Sequence, residues 1–109
     1  KRIYCYLQRK NIEFIWQKRF SDCRYKSPLP FDFYLPKYNL IIEFDGIQHY
    51  LIVQKFGKIS FDDTQRNDKI KNEYCKNNNI NIIRVNYDDL NNNMIEWILD
   101  LEICRIAAI

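Results

Sequence analysis

The chain has 109 residues, of which 47% are apolar and 16% aromatic, a composition typical of one globular domain with a modest core. No run of residues approaches the roughly 18 consecutive apolar positions that a membrane-spanning helix needs, so we expect one domain, residues 1–109, and no membrane partner. The formal charge of +3 favours no class of partner by itself.

The distribution of charge is more informative than its sum. Residues 1–26 contain eight Lys or Arg and only two acids, so this segment carries +6 and the remainder of the chain −3. One end of the domain can therefore neutralise phosphates while the other collects carboxylates, as in an enzyme that holds a polyanion beside a metal. An ordinary solvated basic helix explains the same numbers.

Four cysteines, Cys5, Cys23, Cys75 and Cys104, lie far apart, and none has the spacing of a zinc knuckle. We expect free thiols and an intracellular, reducing compartment, although an even count also allows disulfides. The helical pattern is already under way at Lys1, so we expect the chain to be a fragment of a longer protein.

In the first half of the chain the pattern predicts a helix and three strands. Helix one covers residues 1–10, with Ile3, Tyr4 and Leu7 on one face. Strand one covers residues 12–20 and is followed by a polar loop, SDCRYKSP. Strand two is FDFYL, residues 31–35, in which aromatic and aliphatic side chains alternate with Asp32 and Tyr34.

Strand three, LIIEFDG, presents two faces at the strand period. One face carries Ile41, Glu43 and Asp45, and the other carries Leu40, Ile42 and Phe44. A hairpin between strands two and three would bring Asp32 close to both acids.

The second half predicts helix, strand and helix. An irregular stretch reaches about Asp63, where Asp62, Asp63 or Thr64 caps a helix that ends at residues 77–79. The strand INIIRVNY follows, and a last helix over residues 94–107 has an apolar stripe that includes Met94, Trp97, Ile98, Leu101 and Cys104. Because two strands flank a crossover helix, we expect a parallel pair in a mixed sheet flanked by helices, an α/β sandwich.

The acids on strands two and three are the strongest functional signal. Placing Glu43 and Asp45 two apart on an apolar strand is unfavourable unless a cation or a proton compensates them, and Asp32 adds a third carboxylate. Oxygen ligands of this kind suit Mg²⁺, for which Mn²⁺ can substitute. A solvent-facing hairpin with no site is the structural alternative.

The run PFDFYLPKYNLIIEFDGIQHY resembles the active-site hairpin of PD-(D/E)XK nucleases, and in particular the branch with the very-short-patch repair endonuclease and related homing-type endonucleases. The resemblance covers most of the chain and implies an αβββαβ core of the restriction-endonuclease type, with a C-terminal helix added. It implies a metal-dependent endonuclease that hydrolyses DNA phosphodiester bonds, in a homing, repair, mobile-element or viral role.

The resemblance assigns roles by position. Asp32 and Glu43 fall on the metal-binding acids, and the backbone carbonyl of Phe44 is a further metal ligand. Asp45 stands where most of the superfamily has Lys, so it supplies a carboxylate in place of a positive charge. His49 would move protons, oriented by Asp68 on the crossover helix, whose alternative partners are Lys71 and Asn72.

Basic residues are expected to contact nucleic acid, and the candidates are Arg2, Lys10, Lys18, Arg19, Arg66, Lys69 and Arg84. No segment resembles a helix-turn-helix or zinc finger, so we expect sequence recognition to lie in an additional domain outside these residues. The sequence leaves the oligomeric state open, a homodimer included.

Two departures from the family pattern leave two other functions open. Position 45 lacks the Lys, and the Glu expected near the start of helix one is absent, unless it lies upstream of Lys1. A nuclease fold that binds nucleic acid with impaired catalysis is therefore the alternative. A third possibility is a carboxylate cluster that holds a structural cation such as Ca²⁺.

Overall fold

The computed structural model of the chain describes residues 2–45, 58–86 and 94–107. Its elements in chain order are α1 (Arg2–Arg9), β1 (Ile15–Arg24), β2 (Pro28–Leu35), a short 3-10 turn (Pro36–Tyr38), β3 (Leu40–Asp45), α2 (Lys58–Asn77), β4 (Asn81–Asn86) and α3 (Ile95–Ala107). The predicted order of helices and strands and the α/β class are confirmed.

The four strands form one mixed sheet in the order β1-β2-β3-β4. β1 with β2 and β2 with β3 are antiparallel, whereas β3 and β4 are parallel and joined through α2. The predicted parallel pair is therefore present.

Each face of the sheet buries a separate cluster of side chains. On one face, α1 and α3 pack over Leu35, Leu40 and Ile42. On the other, α2 covers a smaller cluster of Cys23, Phe31, Ile41 and Cys75. Helices on both faces make the molecule a three-layer sandwich, with the middle strands buried on both sides.

The ends of α1 and α2 share one geometry. Asn11 and Asn79 adopt the left-handed backbone conformation, with φ of 58° and 56°. The next residue donates its N–H back to the last turn, from Ile12 to Leu7 at 3.0 Å and from Ile80 to Cys75 at 2.9 Å. These are Schellman caps, in which asparagine tolerates the left-handed position, and they confirm the predicted ends of both helices.

Two local predictions were wrong. β1 continues through most of the expected polar loop to Arg24, since Cys23 packs in the core between the sheet and α2. α2 begins at Lys58, so the proposed caps at residues 62–64 lie inside the helix. In β2 the predicted alternation is present, since Phe31, Phe33 and Leu35 are buried while Asp32 and Tyr34 are half-buried. Phe31 packs in the cluster under α2, and Phe33 and Leu35 pack in the other cluster.

The expected faces of two helices also need correction. The buried positions of α3 are Ile95, Leu99 and Ile103, whereas Trp97 and Leu101 of the predicted stripe are 58% and 52% exposed. The other members of that stripe are exposed Met94 and Cys104 and half-buried Ile98. On α1 the buried aromatic residue is Tyr6, while Tyr4 is largely exposed. None of the helices in the described residues has the length and apolarity that crossing a bilayer requires.

Candidate functional site

The strands β2 and β3 separate at the two acids that the sequence singled out. Their paired register runs from Leu35 and Leu40 to Phe33 and Ile42. Beyond that point the backbone N–H of Asp32 donates to Oε2 of Glu43 at 2.6 Å, and the N–H of Phe44 donates to Oδ2 of Asp32 at 2.8 Å. Each carboxylate thus binds the backbone of the opposite strand, and we call Asp32 and Glu43 the carboxylate fork.

Glu43 is the only charged residue in the buried part of the described chain, with 4% of its surface exposed. Burial raises the pKa of its carboxyl, the negative charge of Asp32 adds to the rise, and Lys71 partly opposes it. The Lys71 ammonium donates to Oε1 of Glu43 at 2.8 Å. The solvent-facing alternative for these acids is therefore wrong for Glu43.

Asp32 opens onto a cavity of about 310 Å³ on the side of the sheet covered by α1 and α3. Its walls combine apolar side chains with one basic residue, and the lining consists of Arg2, Ile3, Trp16, Asp32, Phe33, Phe44 and Ile95. The cavity therefore places one positive and one negative side chain among apolar walls. Of the predicted phosphate-binding residues, Arg2 is the one that lines this cavity.

The oxygens of the carboxylate fork are of the kind that magnesium prefers. Mg²⁺ is usually held by one or two carboxylates and completes its shell with water and substrate phosphates, and the fork offers two. Phe44, whose carbonyl the resemblance assigns as a further ligand, follows Glu43 on β3 and donates its N–H to Asp32. Within the described residues no group of three or more acidic, His or Cys side chains is placed to share an ion.

Of the remaining predicted catalytic residues, only Asp68 has a described side chain. The backbone of Asp45 pairs with Asn86 at the end of β3, while its side chain and the whole of His49 lie outside the described residues. Asp68, expected to orient the histidine, forms an ion pair with Arg84 at 3.5 Å. Neither Lys71 nor Asn72, the alternative partners named for Asp68, takes this place.

Several of the predicted nucleic-acid-binding residues have structural partners. Arg84 bonds to Asn72 at 3.0 Å in addition to Asp68, so it ties β4 to α2. Lys10 lies 4.0 Å from Asp100 of α3. Lys69 is exposed on α2. Of these three, only Lys69 remains a clear candidate for a phosphate contact.

Four basic side chains lie on β1 and in the turn that connects it to β2. Lys18, Arg19, Arg24 and Lys26, which we call the basic hairpin, form no ion pair with any described acid. Arg66 of α2 stacks on Tyr25 in this hairpin, with its guanidinium carbon 3.6 Å from the ring centre. This stacking connects the turn to α2, and an ion pair with Asp63 of the same helix at 2.8 Å holds the guanidinium in place.

Sequence reasoning missed Lys71 as the partner of Glu43. The sequence feature that could have indicated this contact is the position of Lys71 on α2 beside Ile70, Tyr74 and Cys75, which all pack against the sheet. A lysine on a buried helix face needs an acid, and Glu43 was already expected to be partly covered. The contact between Arg66 and Tyr25 had no comparable signal, because it depends on how the hairpin folds over the helix.

Comparison with known proteins identifies one similar viral protein. The chain is 38% identical over 61 residues to an uncharacterized protein, 307L, of Invertebrate iridescent virus 6. The match covers 54% of this chain, and it spans 31% of the length of the viral protein. No protein-family profile matches the chain, and no solved structure does either.

Proposed function

We propose that this chain is the nuclease domain of a Mg²⁺-dependent endonuclease of the PD-(D/E)XK type, acting on DNA phosphodiester bonds. The observation that carries the proposal is the carboxylate fork, two acids on adjacent strands that each bond the other strand's backbone where the strands separate. A buried carboxylate beside a second one is unfavourable for folding, so a ligand explains the pair better than stability does.

The layout around the fork supports the same function. The cavity beside Asp32 also contains Arg2, which suits a substrate with a phosphate group. The basic hairpin adds unpaired positive charge on β1, the strand that contributes Trp16 to the cavity wall. The restriction-endonuclease-like core and the branch with the very-short-patch repair endonuclease remain part of the proposal.

In this proposal Asp32, Glu43 and the Phe44 carbonyl hold the metal, with Asp45 as a further candidate ligand. The metal would polarise the phosphate and lower the pKa of the attacking water. Arg2 binds and orients the phosphate at the cavity. His49, with Asp68 as its orienting acid, handles protons in the proposed site, although Asp68 must then leave or share its ion pair with Arg84.

The test is nicking of supercoiled plasmid DNA in Mg²⁺ or Mn²⁺ by the longest natural form of the protein. Asp32→Asn removes one metal-binding charge at nearly constant shape. We expect it to slow nicking about 100-fold or more, because metal stabilisation of the transition state is worth several kcal/mol.

Glu73→Gln is the matched control, since Glu73 is an exposed acid on α2 away from the fork. It should nick DNA at the wild-type rate. Metal-independent nicking, or equal rates for wild type and Asp32→Asn, would contradict the proposal.

A second candidate is a nuclease-fold module that binds nucleic acid without cutting it. The observation in its favour is the ion pair between Glu43 and Lys71, which occupies a proposed metal ligand with an internal cation. In that case the protein would bind DNA in the same salt range with and without Mg²⁺, and no metal would support nicking.

A further inference from the structure

The ion pair between Lys71 and Glu43 is the most buried ion pair of the described residues. The two side chains are 13% and 5% exposed, whereas the next most covered pair, Arg84 with Asp68, is 23% and 30% exposed. Buried ion pairs add little net stability, since the loss of hydration offsets the attraction. The location of this pair, on one of the two acids of the fork, therefore calls for a functional explanation.

Both oxygens of Glu43 are engaged. Oε1 accepts from the Lys71 ammonium at 2.8 Å, and Oε2 accepts from the backbone N–H of Asp32 at 2.6 Å. A divalent cation at the fork would have to approach a carboxylate that already holds a positive charge. Like charges this close repel strongly in a poorly hydrated environment, so the ammonium and the metal oppose each other's binding.

Lys71 makes a second favourable contact besides its ion pair with Glu43. Its ammonium lies 5.3 Å from the centre of the Phe31 ring, within the range of a cation–π contact. The ammonium makes this contact at the same time as the ion pair, so part of its stabilisation does not depend on Glu43.

We propose that Lys71 is a built-in competitor for the metal: its ammonium neutralises Glu43 in the metal-free protein and leaves Oε1 when a divalent cation binds at the carboxylate fork. This inference rests on the proposed function, because it needs the fork to bind metal. By reciprocity the metal weakens the Lys71–Glu43 pair as much as the pair weakens the metal.

The first test is calorimetric titration of Mn²⁺ into the wild type, Lys71→Met and Lys76→Met. Methionine keeps the length and apolar stem of lysine without its charge. We expect Lys71→Met to bind Mn²⁺ about tenfold more tightly, a typical coupling between two binding events. Lys76→Met, which removes an exposed charge from the same helix, should bind Mn²⁺ like the wild type.

The second test uses the wild type alone and does not depend on whether Lys71→Met folds. Acetylation of individual lysines is followed by mass spectrometry with and without saturating Ca²⁺. Lys71 should react about fivefold faster when Ca²⁺ is bound, because it has lost its carboxylate partner, and Lys69 should react at an unchanged rate.

The outcomes separate the two proposals. If the wild type binds Mn²⁺ but Lys71→Met binds it equally or more weakly, the proposed competition is wrong and the metal site stands. The competition is also wrong if Ca²⁺ leaves the rate of Lys71 acetylation unchanged. If neither the wild type nor Lys71→Met binds Mn²⁺, the metal site is wrong, and the competition fails with it.

Discussion

Two of the four cysteines, Cys23 and Cys75, lie in the core between the sheet and α2, each 1% exposed. Burial raises the pKa of the Cys23 thiol, and it raises the pKa of Cys75 to about 11. Cys5 and Cys104 are exposed on α1 and α3. All four thiols are free in the structure, as the sequence predicted.

We predict that iodoacetamide at pH 8 labels Cys5 and Cys104 well before Cys23 and Cys75. The reactive species is the thiolate, which Cys75 forms only as the pH approaches about 11. The pKa of Cys75 is higher in the folded protein than in the unfolded chain, so the protonated thiol stabilises the folded state. This contribution to stability is lost as the pH rises from 9 through 11. Peptide mass mapping over time gives the order, and labelling of all four at one rate in the folded protein would contradict it.

Two contacts away from the carboxylate fork hold the basic hairpin against α2. Tyr74 donates its hydroxyl to Asp22 at 2.9 Å, which links α2 to the basic hairpin. Burial, together with this bond, raises the pKa of Tyr74 to about 12, so the hydroxyl remains a donor at neutral pH. Together with Arg66 on Tyr25, this contact holds the turn of the hairpin against the helix that carries Lys71.

At the level of elements, α3 shows why an apolar stripe is hard to assign from sequence. Its segment, IEWILDLEICRIA, has apolar residues on every side of the helix, so periodicity does not select a buried face. Contact with α1 determines which face of α3 is buried. Tyr6 donates to Asp100, and Arg9 pairs with Glu96 at 2.7 Å. These contacts turn Ile95, Leu99 and Ile103 inward.

Two leucines of α3 provide a matched test of this orientation. Leu99 is fully buried and Leu101 is 52% exposed. Leu99→Ala should reduce the free energy of unfolding by about 2–5 kcal/mol, as cavity-forming substitutions do, and Leu101→Ala by no more than about 0.5 kcal/mol. Urea denaturation measures both; equal losses would mean that the helix is rotated from the orientation described above.

The elements that the sequence predicted well are those in which a local pattern determines the outcome. The alternation of Leu40 and Ile42 with Ile41 and Glu43 sets the two faces of β3, and the asparagines at the ends of α1 and α2 set their caps. The start of α2 and the length of β1 depend on packing between distant segments, so no local pattern predicts them. The pairing of Asp32 with Glu43 was predictable because both lie on one hairpin, whereas Lys71 reaches Glu43 from 28 residues away.

On the scale of the whole molecule, the positive charge of residues 1–26 divides into two parts. Arg9 at the end of α1 and the adjacent Lys10 form ion pairs with the acids of α3, Glu96 and Asp100. The basic hairpin lacks described acidic partners for its own side chains. The net charge thus understates the potential at the hairpin, which is where we expect a polyanion to bind.

This division leads to a comparison of two double variants with identical net charge. Arg24→Gln with Lys26→Gln removes two charges from the basic hairpin, and Arg9→Gln with Lys10→Gln removes two charges already paired with acids. Each phosphate contact that is lost should reduce the slope of log binding constant against log salt by about 0.9. We therefore expect the hairpin variant to bind a fluorescent DNA duplex more weakly, with a slope smaller by up to about 2 units, and the α1 variant to match the wild type. Fluorescence anisotropy from low to moderate salt measures both, and an equal loss in the two variants would show that binding follows net charge alone.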